Sequence, residues 1–296
     1  MIDSVSFWIP GGIAPDLDNV QAYRDDFFRG SLGNMRVIQN PDGVYCTGSL
    51  AKYLQGGNVL PLTRRAVEDS LGKLERETGW NLKRAELKQI EVGSTLQVRK
   101  APSLYLGSWG TVPRFTKQTY QKRELETVTY FTGSRSFTGY DKRQESAGQE
   151  IPAIFSGAEL IRLELKYKRG VKKHFGRALT PWDIATRPTY TDLVQRWQDF
   201  YFKIPKGRIP VIDTTGGISP KDLDNTLKAY GLQALGQDSY MGFISMLEKR
   251  GTLGRIQAER ARKAARESVK DERISQADDL TAELDSRVRE VCVYAR

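Results

Sequence analysis

Residues 160–168 read LIRLELKYK, and apolar and polar side chains alternate along the whole segment. Residues 89–98, QIEVGSTLQV, alternate in the same way. Successive side chains point to opposite faces of a β-strand, so each segment predicts a strand with one buried face and one polar face. Glu91 and Glu164 belong to the polar sets of these two strands.

A third strand completes this pattern. Residues 127–131 and 136–142 predict a hairpin around Gly133 and Ser134, and Tyr140 and Lys142 share one face of its second arm. Helices on one side would cover the apolar faces of the three strands. The other side, here called the polar face, should hold Glu91, Tyr140, Lys142 and Glu164 on one open surface. The predicted fold class is therefore α+β: an antiparallel sheet with helices on one face and an open face for catalysis or DNA binding.

Local signals place several further elements. Asn40-Pro41-Asp42-Gly43 predicts a turn between two strands. A helix should begin after the capping residue Thr63 and end near Gly79. Residues 104–109 are interpreted as another short strand.

The character of the chain becomes helical after residue 178. Thr180-Pro181-Trp182-Asp183 is a helix-start signal, with a break expected near Pro188. The charged, proline-free segment 253–289 predicts one long helix or two. The expected organisation is an α+β domain at residues 1–178 and a mostly helical C-terminal region at residues 179–296.

Composition bounds the protein class. The chain has 296 residues, of which 39% are hydrophobic, enough for a substantial core. No run approaches the ~20 apolar residues of a membrane span, and the N-terminus has no pattern of a secretory signal. The two cysteines lie far apart and exclude a disulfide scaffold. We therefore expect a cytoplasmic protein with no membrane partner.

The charge is positive and unevenly distributed. The chain has 46 Lys and Arg against 36 Asp and Glu, a net charge of +10. Between Leu96 and Lys173 the counts are 15 and 7, so about a quarter of the chain holds most of the excess. A basic stripe of this kind is typical of a protein that binds a polyanion, although a solvated surface explains it equally well.

The single histidine, His174, excludes several enzyme classes. A zinc site with several imidazole ligands cannot form, so any metal must be held mainly by carboxylates, which favours Mg²⁺ or Mn²⁺. The chain also lacks a phosphate-binding P-loop and the Gly-x-Ser-x-Gly motif. Tyrosine as a covalent nucleophile, carboxylates around a metal, and Lys or Arg on neighbouring phosphates remain compatible with the sequence.

Several sequence blocks occur in the order typical of one protein family. Residues 49–59, SLAKYLQGGNV, match S-P-A-K-x-L-Q-G-x-N-V, and residues 134–145 match an S-R … Y-x-K-x-x-E block. Residues 160–164, LIRLE, match L-V-R-F-E, and residues 87–92 lie where the family has I-x-R-I-D-x. Over roughly residues 1–200 the chain resembles the gene II replication endonuclease of filamentous phages and related phage and plasmid rolling-circle replication initiators.

This resemblance implies a function and a set of site residues. In the family, a tyrosine nicks one strand at the replication origin, stays joined to the 5′-phosphate, and the enzyme later rejoins the strand. Tyr140 matches the nucleophile and Lys142 the lysine of the same block. The implied metal ligands are Glu91, Glu145 and Glu164, although Glu145 could instead form a salt bridge with Lys142. Where related initiators often have a second acid after the strand acid, this chain has Gly93 and Thr95.

The remaining predictions concern partners and alternatives. The residues expected to contact DNA phosphates beside the polar face are Arg135, Arg162, Lys166 and Lys168. Asp3 and Asn58 are interpreted as structural, through a strand-start hydrogen bond and a turn. The partners considered are double- and single-stranded origin DNA, a host helicase and polymerase, and a second copy of the chain, in the cytoplasm of a bacterial host.

Three functions compete. The first is a rolling-circle initiator with metal-dependent, site-specific nicking and rejoining of one strand. The second is a non-catalytic, sequence-specific DNA-binding protein of the same fold. The third is an RNA-binding sheet protein, which should carry stacking aromatics that the polar faces largely lack. Convergence of Tyr140 with at least two of the three predicted glutamates would favour the enzyme over a plain binding protein.

Overall fold

The described part of the chain forms two compact units. The computed structural model describes residues 1–24, 27–122, 125–147, 151–206, 211–212, 219–235, 237–269, 274–275 and 277–295. The first unit comprises residues 1–106, 111–205 and 285–296, and the second comprises residues 107–110 and 206–284. The boundary expected after residue 178 stays a prediction, because compactness alone does not show which part folds independently.

The first unit is built on a ten-stranded sheet, counted over the described residues, in which every pair of neighbours is antiparallel. Its strands are β1 Ile2–Pro10, β2 Asp18–Arg24, β3 Phe27–Leu32, β4 Met35–Asn40, β5 Gly43–Ser49, β6 Glu86–Val98, β7 Thr116–Lys122, β8 Leu125–Phe131, β9 Arg135–Asp141 and β10 Glu159–Tyr167. Their order across the sheet is β2-β3-β4-β5-β1-β6-β10-β9-β8-β7.

The described residues also form ten α-helices. They are α1 Leu50–Gln55, α2 Arg64–Thr78, α3 Pro102–Gly107, α4 Lys142–Glu145, α5 Val171–Phe175, α6 Arg187–Lys203, α7 Pro220–Leu235, α8 Gln237–Lys249, α9 Arg255–Val269 and α10 Ala277–Ala295. Short 3-10 helices lie at Ala153–Phe155 and Trp182–Ala185, and the strands β11 Val211–Ile212 and β12 Ile274–Ser275 pair in the second unit. The antiparallel sheet and the helical C-terminal region confirm the predicted α+β class. Among the described helices, none is both long enough and apolar enough to cross a membrane.

The register of the central strands confirms the face assignment from sequence alternation. Arg162 lies opposite Tyr140, and Lys166 lies opposite Glu91. Directly paired residues point to the same side of a sheet, so these four side chains share the polar face. Helix α6 covers the other face: Trp197 Nε1 donates to the carbonyl of Leu163 at 3.1 Å.

Most of the helix and strand signals in the sequence agree with the structure. Thr63 caps α2 by accepting a hydrogen bond from the backbone of Ala66, and the helix ends at Gly79 with φ at 70°. The predicted break near Pro188 appears as the 3-10 helix Trp182–Ala185 followed by α6. The strand predicted at residues 104–109 was wrong, because most of that segment belongs to α3. In a segment this short, the spacing of apolar residues does not distinguish a strand from a single helical turn.

The turn between β4 and β5 depends on Gly43. Asn40 Oδ1 accepts hydrogen bonds from the backbone amides of Asp42 and Gly43, each at 3.0 Å. Gly43 has φ at 150°, and a Cβ atom there would lie 2.2 Å from the carbonyl oxygen of Ile9 on β1. Glycine is therefore required both by backbone conformation and by the close approach of β1.

Replacing Gly43 by alanine should lower the free energy of unfolding by about 2 kcal/mol or more, since strain and overpacking both act there. The control is Gly133→Ala in the β8–β9 turn, where an added Cβ meets nothing within 4 Å. Urea denaturation of both variants measures the difference. Equal losses would contradict this account of the turn.

Candidate functional site

Three carboxylates from neighbouring strands meet on the polar face. Asp3 of β1, Glu91 of β6 and Glu164 of β10 each place one carboxylate oxygen within 4.8 Å of the other two. These three residues are here called the carboxylate cluster. Asp3 is 3% exposed and Glu91 9% exposed, so two of its members are largely removed from water.

Two cations compensate the cluster. Arg162, only 1% exposed, donates from Nη2 to the carboxylate of Asp3 and from Nε to Glu164 Oε1 at 2.6 Å. Lys166 Nζ lies 3.1 Å from Glu91 Oε2. Buried carboxylates need such partners, because an uncompensated buried charge is strongly unfavourable.

Gly93 provides the space for this arrangement. It lies opposite Glu164 in the β6–β10 pair. A Cβ atom at Gly93 would lie 3.0 Å from Glu164 Cγ and 3.4 Å from Arg162 Nη2. Glycine at this position therefore lets Glu164 and Arg162 pack closely over β6. Residues 93 and 95 provide no second acid after Glu91. An additional carboxylate comes instead from Asp3 on the adjacent strand β1.

The phenol of Tyr140 contacts the cluster directly. Tyr140 Oη donates a hydrogen bond to Glu164 Oε1 at 2.9 Å. Burial, followed by the charge of Glu164, raises the pKa of Tyr140 far above the usual value of about 10. The phenol therefore stays protonated at neutral pH, and Glu164 is a proton acceptor within hydrogen-bonding distance of it.

Lys142 and Glu145 form a neighbouring pair. Lys142 is the first residue of α4 and is 1% exposed. Its Nζ donates to Asn58 Oδ1 at 3.0 Å and to Glu145 Oε2 at 2.5 Å. Of the three glutamates expected to bind metal, the structure thus brings Glu91 and Glu164 together and pairs Glu145 with Lys142, the salt bridge that the sequence left open.

The four basic residues expected beside the polar face have different surroundings. Arg162 is buried inside the carboxylate cluster, where it has no surface to offer to a DNA phosphate. Arg135 lies on the opposite face of the sheet, with its guanidinium carbon 5.4 Å from the ring centroid of Phe115. Arg135 and Tyr140 are an odd number of residues apart in β9, so strand alternation already places their side chains on opposite faces of the sheet. Lys166 contacts Glu91, and Lys168 directly follows β10.

The donor set of the carboxylate cluster fits a hard divalent cation. Oxygen-only ligands are those preferred by Mg²⁺ and Mn²⁺. The three oxygens lie within 4.8 Å of one another, and movement of the side chains toward a common centre would bring them to the roughly 2.1 Å metal–oxygen distance of Mg²⁺. Burial and the charge of Glu164 raise the pKa of Glu91 to about 7. A cation would therefore compete with a proton at Glu91.

Two residues of the site were assigned only structural roles from sequence. Asp3 does accept a hydrogen bond from Ser49 Oγ, as expected for the start of a strand, but it also belongs to the cluster. Asn58 contacts Asp3 and Lys142. The signal that could have identified Asp3 is the pairing of β1 with β6, which local sequence patterns do not reveal.

Comparison with known proteins adds little to this geometry. No protein-family model matches the chain, and no curated protein matches it. Among solved structures, the chain is similar to the rolling circle replication initiator protein from Geobacillus stearothermophilus. The identity is 10%, the overlap covers 78% of this chain and 96% of that chain, and the TM-score is 0.33.

Mn²⁺ or Mg²⁺ should stabilise the protein, by about 2.7 kcal/mol at a concentration 100 times the dissociation constant. The stabilisation should weaken as the pH falls below about 7, because Glu91 then holds a proton that the cation must displace. Thermal unfolding with and without Mn²⁺ at pH 5.5 and pH 8 measures both effects.

Glu91→Gln and Asp3→Asn should each abolish most of the Mn²⁺ effect. The matched control is Glu86→Gln on the same strand, whose exposed carboxylate pairs with Lys88 away from the cluster. A Mn²⁺ effect that survives in both cluster variants, or that disappears in the control, would contradict this site.

Proposed function

We propose that the chain is a rolling-circle replication initiator that nicks and rejoins one DNA strand with the help of a divalent metal. The observation that carries this proposal is the hydrogen bond from Tyr140 Oη to Glu164, a member of the carboxylate cluster. A tyrosine hydroxyl, a carboxylate that can accept its proton and two further carboxylates therefore lie together on one face of the sheet, which supports these roles. The sequence blocks that resemble rolling-circle initiators support the same assignment.

The reaction follows from these positions. Tyr140 Oη attacks the phosphorus of a DNA phosphodiester and passes its proton to Glu164 Oε1, 2.9 Å away. A bond forms between Oη and phosphorus, and the bond from phosphorus to the 3′-oxygen breaks. The 5′-phosphate stays on the tyrosine, and the released 3′-oxygen takes a proton and can prime synthesis. Attack by a 3′-hydroxyl on the phosphotyrosine reverses these steps and rejoins a strand.

The raised pKa of Tyr140 explains why a cation is needed. A divalent metal held by Asp3, Glu91 and Glu164 would offset the carboxylate charge and neutralise the phosphate. Arg162 keeps Asp3 and Glu164 in place through its buried guanidinium. Lys166 is paired with Glu91, and its side chain is 36% exposed on the same face, so it could contact the phosphate of a bound strand.

One observation favours the non-catalytic alternative. Arg162 and Lys166 already compensate the carboxylates without any metal, as a purely structural ion-pair network would. A DNA-binding protein of this fold would keep the network and use Tyr140 only for packing. The two functions differ in one product, a covalent link between the tyrosine and DNA.

The test is to incubate the protein and Mg²⁺ with a supercoiled plasmid library carrying fragments of the genome that encodes it. The enzyme should produce nicked circles with protein attached to the 5′ end, and excess chelator should prevent this. Retention of intact plasmids without any nicked product would favour the non-catalytic DNA-binding protein. Full nicking in excess chelator would contradict the metal-dependent mechanism.

Tyr140→Phe should abolish both nicking and the covalent adduct, because it removes only the attacking hydroxyl. DNA affinity and the unfolding midpoint should remain close to those of the parent protein. Denaturing gels of protein bound to labelled DNA measure the adduct. The control is Tyr120→Phe, since Tyr120 is 51% exposed on the edge strand β7.

An adduct that persists in Tyr140→Phe would place the nucleophile elsewhere. Tyr130 and Tyr167 would then be tested, although both are buried and belong to the apolar side of the sheet by alternation.

Lys168→Glu should weaken DNA binding and flatten its salt dependence by about one unit of slope, because one phosphate contact is lost. Lys83→Glu provides the control, as Lys83 is exposed and lies in the turn before β6, outside the strands that carry the polar face. Titrations of a duplex at several salt concentrations give both slopes. An unchanged slope for Lys168→Glu would remove this residue from the DNA-binding surface.

A further inference from the structure

Asn58 makes contacts that a turn does not explain. An asparagine that stabilises a turn bonds to its own backbone nearby in sequence. Asn58 Nδ2 instead donates to Asp3 Oδ2 at 3.0 Å, and its Oδ1 accepts from Lys142 Nζ at 3.0 Å. These partners lie 55 and 84 residues away in sequence. The main-chain carbonyl of Asn58 also accepts from Arg162 Nη1 at 2.6 Å.

We propose that Asn58 is a positioning residue that joins the metal-binding carboxylates to the chain segment directly after the nucleophile. The proposal rests on the function proposed above and deepens it. One side of the Asn58 amide fixes the orientation of Asp3. The other side fixes Lys142, which follows Tyr140 by two residues. Among the described residues, the hydrogen bonds of Asn58 go to Asp3, Lys142 and Arg162, whereas Tyr140 Oη bonds to Glu164.

The chemistry of the amide group suits this position. A carboxamide carries two N–H donors and one carbonyl acceptor, so it bridges a carboxylate and an ammonium group at the same time. A carboxylate at this position would accept from Lys142 but repel Asp3. An aliphatic side chain would leave the buried ammonium of Lys142 with one partner fewer, at a site only 1% exposed.

The hydrogen bond between Asn58 and Lys142 is linked to Tyr140 through a short segment of the chain that is itself held by hydrogen bonds. Lys142 begins α4, whose preceding residue Asp141 caps the helix by accepting from the backbone amide of Gln144 at 3.0 Å. Tyr140 is the next residue back, at the end of β9. Holding Lys142 therefore holds the end of β9 against the cluster, and reactions that depend on a positioned nucleophile lose rate when such support is removed.

The rest of the loop supplies a matched control. Gln55 Nε2 donates to the carbonyls of Gly57 and Leu60 at 3.3 and 3.0 Å, so this side chain stabilises the loop from within. Neither bond reaches the carboxylate cluster or Lys142. Gln55 is the last residue of α1, so Gln55→Ala removes a side-chain amide that supports the same loop without removing a contact to the site.

The experiment measures Mn²⁺ binding by the decrease in the electron paramagnetic resonance signal of free Mn²⁺, on the full chain without DNA. Asn58→Ala should weaken Mn²⁺ binding about tenfold or more, in the range found when residues that orient metal ligands are changed. Asn58→Gln keeps both functional groups on a longer side chain and should restore part of the affinity. Gln55→Ala should bind Mn²⁺ within twofold of the parent protein.

A second readout separates positioning from general destabilisation. For the folded Asn58→Ala protein, nicking should remain slower than for the parent even at saturating Mn²⁺, because the segment after Tyr140 is also released. A role confined to stability would lower the unfolding midpoint and leave the Mn²⁺ affinity and saturated rate of the folded protein unchanged. If Asn58→Ala does not fold, Asn58→Gln alone decides, and it should still bind Mn²⁺ more weakly than Gln55→Ala.

The outcomes distinguish this proposal from the one on which it rests. Mn²⁺ affinities within twofold of the parent for both Asn58 variants would overturn the role of Asn58 and leave the proposed metal site intact. Failure of the parent protein to bind Mn²⁺ would overturn both.

Discussion

The buried guanidinium of Arg162 is the charge on which the arrangement of the polar face depends. It donates to Asp3 from β1 and to Glu164 on its own strand, and it also reaches the carbonyl of Asn58 in the loop after α1. Without this cation, the two carboxylates would face each other at low exposure with no guanidinium to compensate their charge, which is strongly unfavourable. Arg162 thus holds the carboxylates of the polar face in place, although the alternation of β10 led to the prediction that it contacts DNA.

The same group of buried charges bears on the protonation of Tyr140. Tyr140 lies opposite Arg162 in the β9–β10 pair and donates to Glu164, so it is placed between a cation and a carboxylate. The net effect of burial and of Glu164 is to keep the phenol protonated. In the proposed reaction, a tyrosine in this state would attack only after additional positive charge has entered the site, which would limit reaction before metal and DNA are both in place.

Sequence alternation predicted the central part of the site because period-two patterns report strand faces directly. It placed Glu91, Tyr140 and Glu164 on one face, and the register of β6, β10 and β9 agrees. Alternation indicates which side chains share a face but not which segments pack over that face. The burial of Arg162 and Lys142 beneath the loop that contains Asn58, more than 80 residues away in sequence, was therefore not predicted.

Asp3 was missed for a related reason: the strand that neighbours β6 is set by sheet topology, which no local pattern encodes. Glu145 lies one helical turn after Lys142, and i,i+3 pairing was the local contact available to it.

The distance in sequence between Asp3 and Arg162, 159 residues, has a consequence for biosynthesis. During translation, β1 is made long before β10, which carries its charged partner. The carboxylate of Asp3 stays in contact with water until β10 is available, so Asp3, Tyr140 and Glu164 come together as a late event in folding. A nascent or truncated chain that ends before β10 lacks Arg162 and Glu164 and therefore cannot form the carboxylate cluster.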